Sequence, residues 1–575
     1  MGKKTVNFLK LLEEKKYSQI ISIIHNDIND KERDASILNL SGVARMLSDK
    51  SNESIKLAIK DFKNSCLKET NKDKLFDPFK NFINATVILF DNEFRNNQNE
   101  LSNTFFDDIF TFYYKNQTFF EKNIKIMWAF SKVIKRVANT KDVIEYFKKM
   151  MNFKLNSEAF DFHKDSLDKL HAFTSYNYYN NYLYDWKQSD YLNNSKEINI
   201  KLPTYKKNEL SEIKSFKKSK INLGFISSDL RSKHSVVYFL RSIVSSYDKN
   251  KYNIFLFNNH LANDETTQEF NSKVFKSIQI GKLNEVEAIN LIRDNQIDII
   301  VDMNGFSSDH RLALLKNRLA PIQISWCGYT NTIGLEEMDY LIVDKNLIKK
   351  SEEDLYAEKI IYLPDIWNCH SGYGFTRELN TSPFKKNKYI TFGSFNNYRK
   401  INDDVIQVWA SILKKVKNSK LLLKTSFPIS TMNYKEKFNE YGVLDSVTFL
   451  PFEKNFNNHL DVYKKIDIAL DTFPWNGVTT SFEAIWKGVP VITMKGYNFN
   501  SRCGESININ AKLEKLIGKN KKDYIDKAVS LAENESELEK IRKNLYENAL
   551  KTPLFDQKRF CNQFFSSLEK IYITK

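Results

Sequence analysis

The chain has 575 residues, which is too long for a single hydrophobic core and predicts roughly two to four domains. Apolar residues make up 42% and aromatic residues 14% of it, so packed interiors are expected and global disorder is excluded. The formal net charge is +16, but the lysines are spread thinly without long basic blocks, which favours a solvated surface over a nucleic-acid-binding site.

Residues 1–200 are predicted to be helical throughout. Pro78 is the only proline before residue 203, and apolar residues recur at helical spacing. The stretch 38–44 followed by 58–62 is similar to a tetratricopeptide repeat, in which small residues let paired helices approach closely. A plain helical bundle is the alternative. Weaker copies of the repeat are expected at 79–89 and 143–160.

The polar, lysine-rich segment 201–220 predicts a linker. Beyond it, short β-rich runs alternate with helical stretches over 221–385 and again over 386–575. This alternation predicts two Rossmann-like domains with parallel sheets, which bind ligands at the C-terminal ends of their strands. Amphipathic helices at about 521–573 are expected to pack back onto the core. The β-rich runs lie at 221–226, 252–257, 297–301, 321–325 and 339–343, and then at 389–393, 421–424, 447–450, 466–470 and 489–493.

Two motifs follow strands of the first Rossmann-like domain. His234 is presented beyond the end of the first strand, where a histidine can act as a base or donate to phosphate. A loop histidine bonded to backbone is the alternative. Asp302 and Asn304 come at the end of the strand that begins near Ile297, so they are expected at the ligand edge. Asp298, at the other end of that strand, is expected to be structural.

A basic pair, Arg399 and Lys400, follows the first strand of the second Rossmann-like domain and precedes a helix that Asn402 is expected to cap. A cation in such a strand-to-helix loop can hold a diphosphate as it leaves. Taken alone, a surface basic pair is the simpler interpretation.

The most specific motif covers 471–490 and predicts a strand, a Gly loop, a short helix and a further strand. The loop amides of 477–480 and the helix dipole form an anion site suited to a diphosphate. Thr480 and Glu483 match a capping box, although Glu483 could instead take a ribose hydroxyl. No convincing D-x-D motif occurs in the chain, so a metal-held nucleotide sugar is not expected.

The five cysteines lie far apart and form no C-x-x-C pair, which argues against a zinc site and is typical of a reducing compartment. Residues 1–30 contain no apolar run long enough for a signal peptide. No stretch approaches the roughly 20 apolar residues that span a bilayer. A soluble, cytoplasmic protein is therefore expected.

Together and in this order, these motifs resemble the catalytic region of the O-GlcNAc transferase and SPINDLY family, glycosyltransferase family 41. The matching run covers about 221–565, and the helical arm before it fits the family's repeat region. The resemblance implies a GT-B fold, two Rossmann-like domains preceded by an all-α tetratricopeptide-like region, with no required metal. The segments that carry it are 224–229 with His234, 303–305, 320–323 with Trp326, 328–329, 338–340, 395–396 with Lys400, 471–490 and 553–555.

The resemblance also implies roles for individual residues. His234 matches a histidine proposed as a base or sugar-site contact, and Lys400 matches the lysine that stabilises the departing nucleotide diphosphate. The other matches lie in the C-terminal, nucleotide-sugar-binding half. They are Asn397 near the phosphates, His459 against the nucleotide base, Gly477, Thr479 and Thr480 in the phosphate loop, and Glu483 at the ribose.

Several positions depart from the family pattern. Asp298 replaces a histidine of the animal enzymes, and Val478 replaces a histidine in the Gly loop. Phe456 and Val462 stand where those enzymes carry basic, nucleotide-contacting residues. The segment 329–332 lacks the usual Pro-Gly after its tyrosine. These changes leave the nucleotide and the sugar open, while the diphosphate chemistry is kept.

The function implied is that of an inverting glycosyltransferase that moves GlcNAc from UDP-GlcNAc to Ser or Thr hydroxyls of protein acceptors, which the concave helical repeats would present. The nucleotide sugar is a substrate, and no cofactor, nucleic-acid partner or membrane insertion is expected. One alternative is another donor, such as GDP-fucose, and another is a glycan or small-molecule acceptor. A third is an interaction scaffold with weak or no catalysis.

Overall fold

The computed structural model describes residues 8–95, 100–152, 165–213, 219–232, 234–373, 377, 381–424, 428–451 and 456–574. The contacts divide the chain into two compact units, Met1–Ala172 with Ser426–Met432, and Phe173–Thr425 with Asn433–Lys575. Within the described part of the chain, no helix is both long enough and apolar enough to cross a membrane.

The first unit is helical. Asp34 and Ser51 cap the N-termini of two neighbouring helices, α3 and α4. Gly42 of α3 lies so close to α4 that an added Cβ would be 2.5 Å from the Phe62 ring, which is the small-residue contact expected of a repeat pair. The helices are α1 Phe8–Glu13, α2 Tyr17–Ser22, α3 Ala35–Ser48, α4 Asn52–Lys68, α5 Phe76–Arg95, α6 Glu100–Lys115, α7 Gln117–Phe120, α8 Ile124–Val137 and α9 Thr140–Met151.

The weaker repeat copy predicted at 79–89 falls within α5. The copy predicted at 143–160 extends beyond α9 into residues outside the described ranges, as does part of the predicted linker, 214–218.

The second unit starts within α10 (Asp165–Asn180) and continues through α11 (Gln188–Lys201) into a parallel sheet of seven strands in the order β3-β2-β1-β4-β5-β6-β7. We call this sheet and its helices the N-terminal half. Its strands are β1 Ile221–Ser227, β2 Tyr252–Asn258, β3 Lys276–Gln279, β4 Ile299–Asp302, β5 Ile322–Ser325, β6 Tyr340–Asp344 and β7 Lys359–Leu363. Its helices are α12 Val236–Val244, α13 Glu265–Lys273, α14 Glu285–Asp294 and α15 Leu312–Lys316.

A second parallel sheet has six strands in the order β10-β9-β8-β11-β12-β13 and forms the C-terminal half. Its strands are β8 Thr391–Ser394, β9 Lys420–Lys424, β10 Val447–Leu450, β11 Ile468–Leu470, β12 Val491–Met494 and β13 Ile517–Gly518. The helices after β7 are α16 Pro383–Asn387, α17 Asp403–Lys415, α18 Pro428–Glu440, α19 Phe456–Asp461, α20 Thr479–Trp486, α21 Phe499–Asn510, α22 Lys521–Glu533, α23 Glu535–Asn548 and α24 Gln557–Thr574.

The central strands are buried along their whole length, as in β4 and β12, because helices cover both faces of a parallel sheet. The strand order reverses between β1 and β4 in the first sheet and between β8 and β11 in the second. Ligands of doubly wound sheets bind outside the carboxyl ends of strands at such reversals. The four motifs singled out in the sequence follow these four strands.

The last helix returns to the N-terminal half. The α24 residue Phe564 lies 5.1 Å from the Trp326 ring and 6.5 Å from the Phe225 ring, between ring centres. Farther along α24, Glu569 accepts a 2.7 Å hydrogen bond from the Tyr252 hydroxyl. The closing helix therefore packs back onto the α/β core, as predicted. The predicted domain boundaries at residues 200, 220 and 385 stay predictions.

Candidate active site

A buried carboxylate holds the Gly loop after β11. Asp471 accepts hydrogen bonds from the backbone N–H groups of Thr472 at 2.9 Å and Gly477 at 2.6 Å, and from the Thr493 hydroxyl at 2.7 Å. Burial raises the pKa of Asp471 to about 6, while these hydrogen bonds and the nearby Lys400 act in the other direction. Asp471 therefore fixes the shape of the loop, with its own oxygens turned inward.

Lys400 reaches the same loop from the short turn after β8. Its Nζ donates a 2.7 Å hydrogen bond to the Asn476 carbonyl and lies 5.2 Å from the centre of the Trp475 ring. Burial lowers the pKa of Lys400 to about 8, and Asp471 opposes that shift. An anion bound beside this ammonium would favour its charged form.

The structure corrects the predicted capping box. The helix α20 begins at Thr479, and Val478 at its N-cap makes no side-chain capping bond. The Thr480 hydroxyl instead donates to Asn396 Oδ1 at 2.8 Å, and Glu483 turns toward α19. The first helical bond donor is Ser481, whose N–H bonds the Val478 carbonyl at 3.0 Å. The N–H groups of Thr479 and Thr480 thus precede the helical ladder and can receive an anion.

Glu483 and His459 meet at the far end of this loop region. The His459 Nε2 atom lies 3.2 Å from Glu483 Oε2, which also accepts a 2.8 Å hydrogen bond from the Tyr463 hydroxyl. Lys424 Nζ lies 3.0 Å from the other imidazole nitrogen of His459. The residues matched to ribose and base contacts therefore lie side by side.

The Asn397 side chain does not face the Gly loop. It is exposed, and its side chain accepts a 3.0 Å hydrogen bond from the Arg399 N–H, which caps the turn. Its neighbour Asn396, for which no binding role was predicted, is buried and contacts Thr480 and Asp471. Because side chains alternate along an extended segment, only one of two adjacent asparagines can face the loop.

The motifs of the N-terminal half also converge. His234 Nε2 lies 3.4 Å from Asp229 Oδ1, and the other oxygen of Asp229 accepts a 3.1 Å hydrogen bond from Asn304 Nδ2. Burial lowers the pKa of His234 and raises that of Asp229, and each group opposes the shift of the other. A neutral imidazole held by a carboxylate can accept a proton.

Two other acidic residues of this half are structural. Asp298 accepts a 2.8 Å hydrogen bond from the Asn222 N–H, as predicted. Asp302 accepts bonds from the N–H groups of Asn304 and Gly305, and burial raises its pKa to about 6. It therefore holds the turn that carries Asn304. Among the described residues, no group of three or more His, Cys, Asp or Glu side chains could hold a metal ion.

Comparison with known proteins identifies relatives. Two carry the name "Probable UDP-N-acetylglucosamine--peptide N-acetylglucosaminyltransferase SPINDLY". The one from Hordeum vulgare is 33% identical and the one from Arabidopsis thaliana 32% identical, each over 61% of this chain. The probable peptide N-acetylglucosaminyltransferase SEC of Arabidopsis thaliana is 26% identical over 61% of the chain. These matches span 37–39% of the length of the relatives.

Among solved structures, a mutant of Thermobaculum terrenum O-GlcNAc transferase superimposes with a TM-score of 0.74, covering 99% of this chain and 98% of that one. At 19% identity the match bears on the fold, and it confirms the predicted GT-B architecture with a preceding helical region. The family model described as "Glycosyl transferase family 41" matches residues 196–372 and 376–564. The chain therefore belongs to glycosyl transferase family 41, the O-GlcNAc transferase and SPINDLY family that its motifs predict.

Proposed function

We propose that the chain is an inverting glycosyltransferase that moves a sugar, with GlcNAc from UDP-GlcNAc as the first candidate, to Ser or Thr hydroxyls of protein acceptors. The observation that carries the proposal is the set of groups beyond the carboxyl ends of β8, β10 and β11. It comprises a partly buried ammonium at Lys400, the amides of Thr479 and Thr480, and the contact between the side chains of Glu483 and His459. The ammonium and the amides suit the two phosphates, Glu483 suits the ribose, and His459 suits the base.

In the proposed reaction the acceptor oxygen forms a bond to the anomeric carbon as the bond from that carbon to the diphosphate oxygen breaks. Both electrons of the broken bond leave with the diphosphate. Lys400 and the α20 amides then face the charge that develops on the leaving oxygen. Because a nucleoside diphosphate is already an acidic leaving group, we expect its stabilisation to matter more than a strong base.

The proton of the acceptor hydroxyl goes to His234. Its lowered pKa keeps the imidazole neutral before the reaction, and Asp229 at 3.4 Å stabilises the imidazolium that forms. His234 belongs to the N-terminal half and Lys400 to the C-terminal half. Attack and departure on opposite sides of the sugar carbon, as inversion requires, fit this division.

The names of the relatives support a UDP-GlcNAc donor and a peptide acceptor. Val462 and Val478 stand where the animal enzymes carry polar nucleotide contacts, so another donor such as GDP-fucose is the alternative.

We further propose that the first, helical unit presents the acceptor protein. A scaffold function would require that the folded chain neither binds nor turns over a nucleotide sugar.

The test is a panel of UDP- and GDP-sugars, scored for binding by calorimetry and for transfer to a Ser/Thr-containing peptide and to whole-protein acceptors. We expect binding and transfer with UDP-GlcNAc. Preferred transfer from another nucleotide sugar would replace the donor and keep the reaction class. A folded protein that binds none of them would leave only the scaffold function.

A further inference from the structure

A short segment before the first sheet lies between the two halves. It comprises residues 178–182, at the end of α10. Asn181, which is 1% exposed, donates to the Tyr329 hydroxyl at 3.3 Å, and its Oδ1 accepts from Asn331 Nδ2 at 3.2 Å, both in the N-terminal half. The same oxygen accepts a 2.9 Å hydrogen bond from Asn500 Nδ2 in the C-terminal half. One buried amide therefore holds this segment to both halves.

Tyr178 occupies the side of this segment that faces the candidate active site. Its ring lies 5.1 Å from that of Trp475 in an edge-on arrangement and 6.2 Å from that of Tyr329, stacked. Trp475 is also the ring beneath Lys400 Nζ, and Tyr182 packs on it at 4.7 Å. The Tyr178 ring is thus fixed against the aromatic side chain that lies under Lys400.

Tyr178 also contacts the N-terminal half of the site, through the ring of Tyr329. Tyr329 packs over Gly305, where an added Cβ would lie 2.3 Å from the Tyr329 Cβ, and Gly305 follows Asn304, which donates to the Asp229 carboxylate at 3.1 Å. Burial raises the pKa of Tyr178 to about 12, although a hydrogen bond with Tyr182 acts in the other direction. The phenol therefore keeps its proton near neutral pH and can donate a hydrogen bond. Tyr178 therefore packs on one side against Trp475, which lies under Lys400, and on the other against Tyr329, which covers the turn that carries Asn304.

We propose that Tyr178 belongs to the transfer site and positions the acceptor residue, with its ring as a wall and its O–H as a hydrogen-bond donor to that residue. The proposal rests on the glycosyltransferase function proposed above. Tyr178 takes no proton in the reaction, since the acceptor proton goes to His234. It precedes residue 196, where the match to the family model begins, so the helical segment adds a functional residue to the matched catalytic region.

The experiment compares full-length wild type with Tyr178→Phe and Tyr178→Ala. Tyr184→Phe is the matched control, because Tyr184 follows the same segment but is 38% exposed and packs near Tyr497 instead. The readouts are kcat/KM for a peptide acceptor, the Kd of UDP and the melting temperature. We expect acceptor kcat/KM to fall about tenfold for Tyr178→Phe and about a hundredfold for Tyr178→Ala. The Kd of UDP should stay within about twofold in both, and Tyr184→Phe should match wild type.

The phenylalanine variant separates function from packing, because it keeps the ring between Trp475 and Tyr329. The proposal is overturned if Tyr178→Phe transfers sugar like wild type and if any defect of Tyr178→Ala comes with weaker UDP binding and a lower melting temperature. Tyr178 would then have a packing role. If the wild-type chain transfers no sugar from any donor, the glycosyltransferase function fails and this proposal with it. Wild-type transfer combined with insensitivity to both substitutions overturns this proposal alone.

Discussion

Replacing Lys400 is the most direct test of the proposed diphosphate site. A lysine ammonium has three N–H donors, of which one is directed at the Asn476 carbonyl, so the remaining donors can face a phosphate. Losing one preorganised charge donor costs about 10²–10³ in turnover, or roughly 2.7–4 kcal/mol of transition-state stabilisation. We therefore expect Lys400→Ala to keep the fold, since Asp471 holds the loop through backbone N–H groups, and to lose most turnover.

The pKa of Lys400 adds a pH signature to the same prediction. In the free protein it is lowered to about 8, so the ammonium loses its proton as the pH rises above that value. A bound diphosphate favours the ammonium and raises its pKa, so binding takes up a proton above pH 8. The affinity for UDP should fall about twofold between pH 7 and 8 and about fivefold between pH 8 and 9.

Calorimetric titrations of UDP at pH 7, 8 and 9, in two buffers of different ionisation enthalpy, measure both the affinity and the proton uptake. Lys400→Arg is the matched control, because it keeps a positive charge that does not titrate in this range. It should remove the pH dependence, and Lys400→Ala should bind weakly at every pH. A wild-type affinity that is independent of pH, or an equal pH dependence in Lys400→Ala, would refute the reasoning, as would near-normal turnover in a folded Lys400→Ala.

Other predictions concern the metal, the helical segment and the Gly loop. Turnover should persist in excess EDTA, because Lys400 and the loop amides supply the positive charge at the diphosphate; loss of activity that Mg²⁺ or Mn²⁺ restores would contradict this. A chain that begins at Phe173 should fold and bind UDP. A chain that begins at Phe216 should be at least about 2 kcal/mol less stable in denaturant unfolding, because it lacks the buried hydrogen bonds of Asn181 and Gln188. Equal stability of the two chains would show that these bonds contribute little. Thr480→Ala should lower the free energy of unfolding by about 1 kcal/mol through its lost bond to Asn396, and it should weaken the binding of UDP but not of uridine. Thr479→Val should weaken the binding of UDP without a loss of stability. Unchanged UDP affinity in both variants would make the loop a structural turn.

The two sheets were predictable because their central strands are buried on both faces and read as apolar runs. The strands absent from the prediction, β3, β7 and β13, lie at sheet edges. In β3 the residues from Lys276 to Gln279 are all at least partly exposed, so no apolar run marks them. The cap at Asn402 was also predictable, since its side chain accepts from the Val405 N–H three residues on, a contact set by local sequence.

Tertiary contacts account for what the sequence could not predict. Thr480 and Glu483 have the spacing of a capping box, but Asn396 and the His459–Tyr463 pair lie closer to their side chains in the folded chain. The role of Asn181 gives no local signal either, since its partners in the two halves are more than 100 residues away in sequence. Such polar contacts between distant segments leave no periodicity in the sequence.

The return of α24 to the first sheet has a mechanical consequence. The chain passes from one half to the other after β7 and back before α24, so two covalent connections join the halves. These connections touch, since the His370 N–H donates a 2.8 Å hydrogen bond to the Leu554 carbonyl. The two connections therefore lie at one place between the halves, so any change in the angle between the halves would bend both connections there. Removal of the last helix would take away the second connection, and the halves would then be joined covalently after β7 alone.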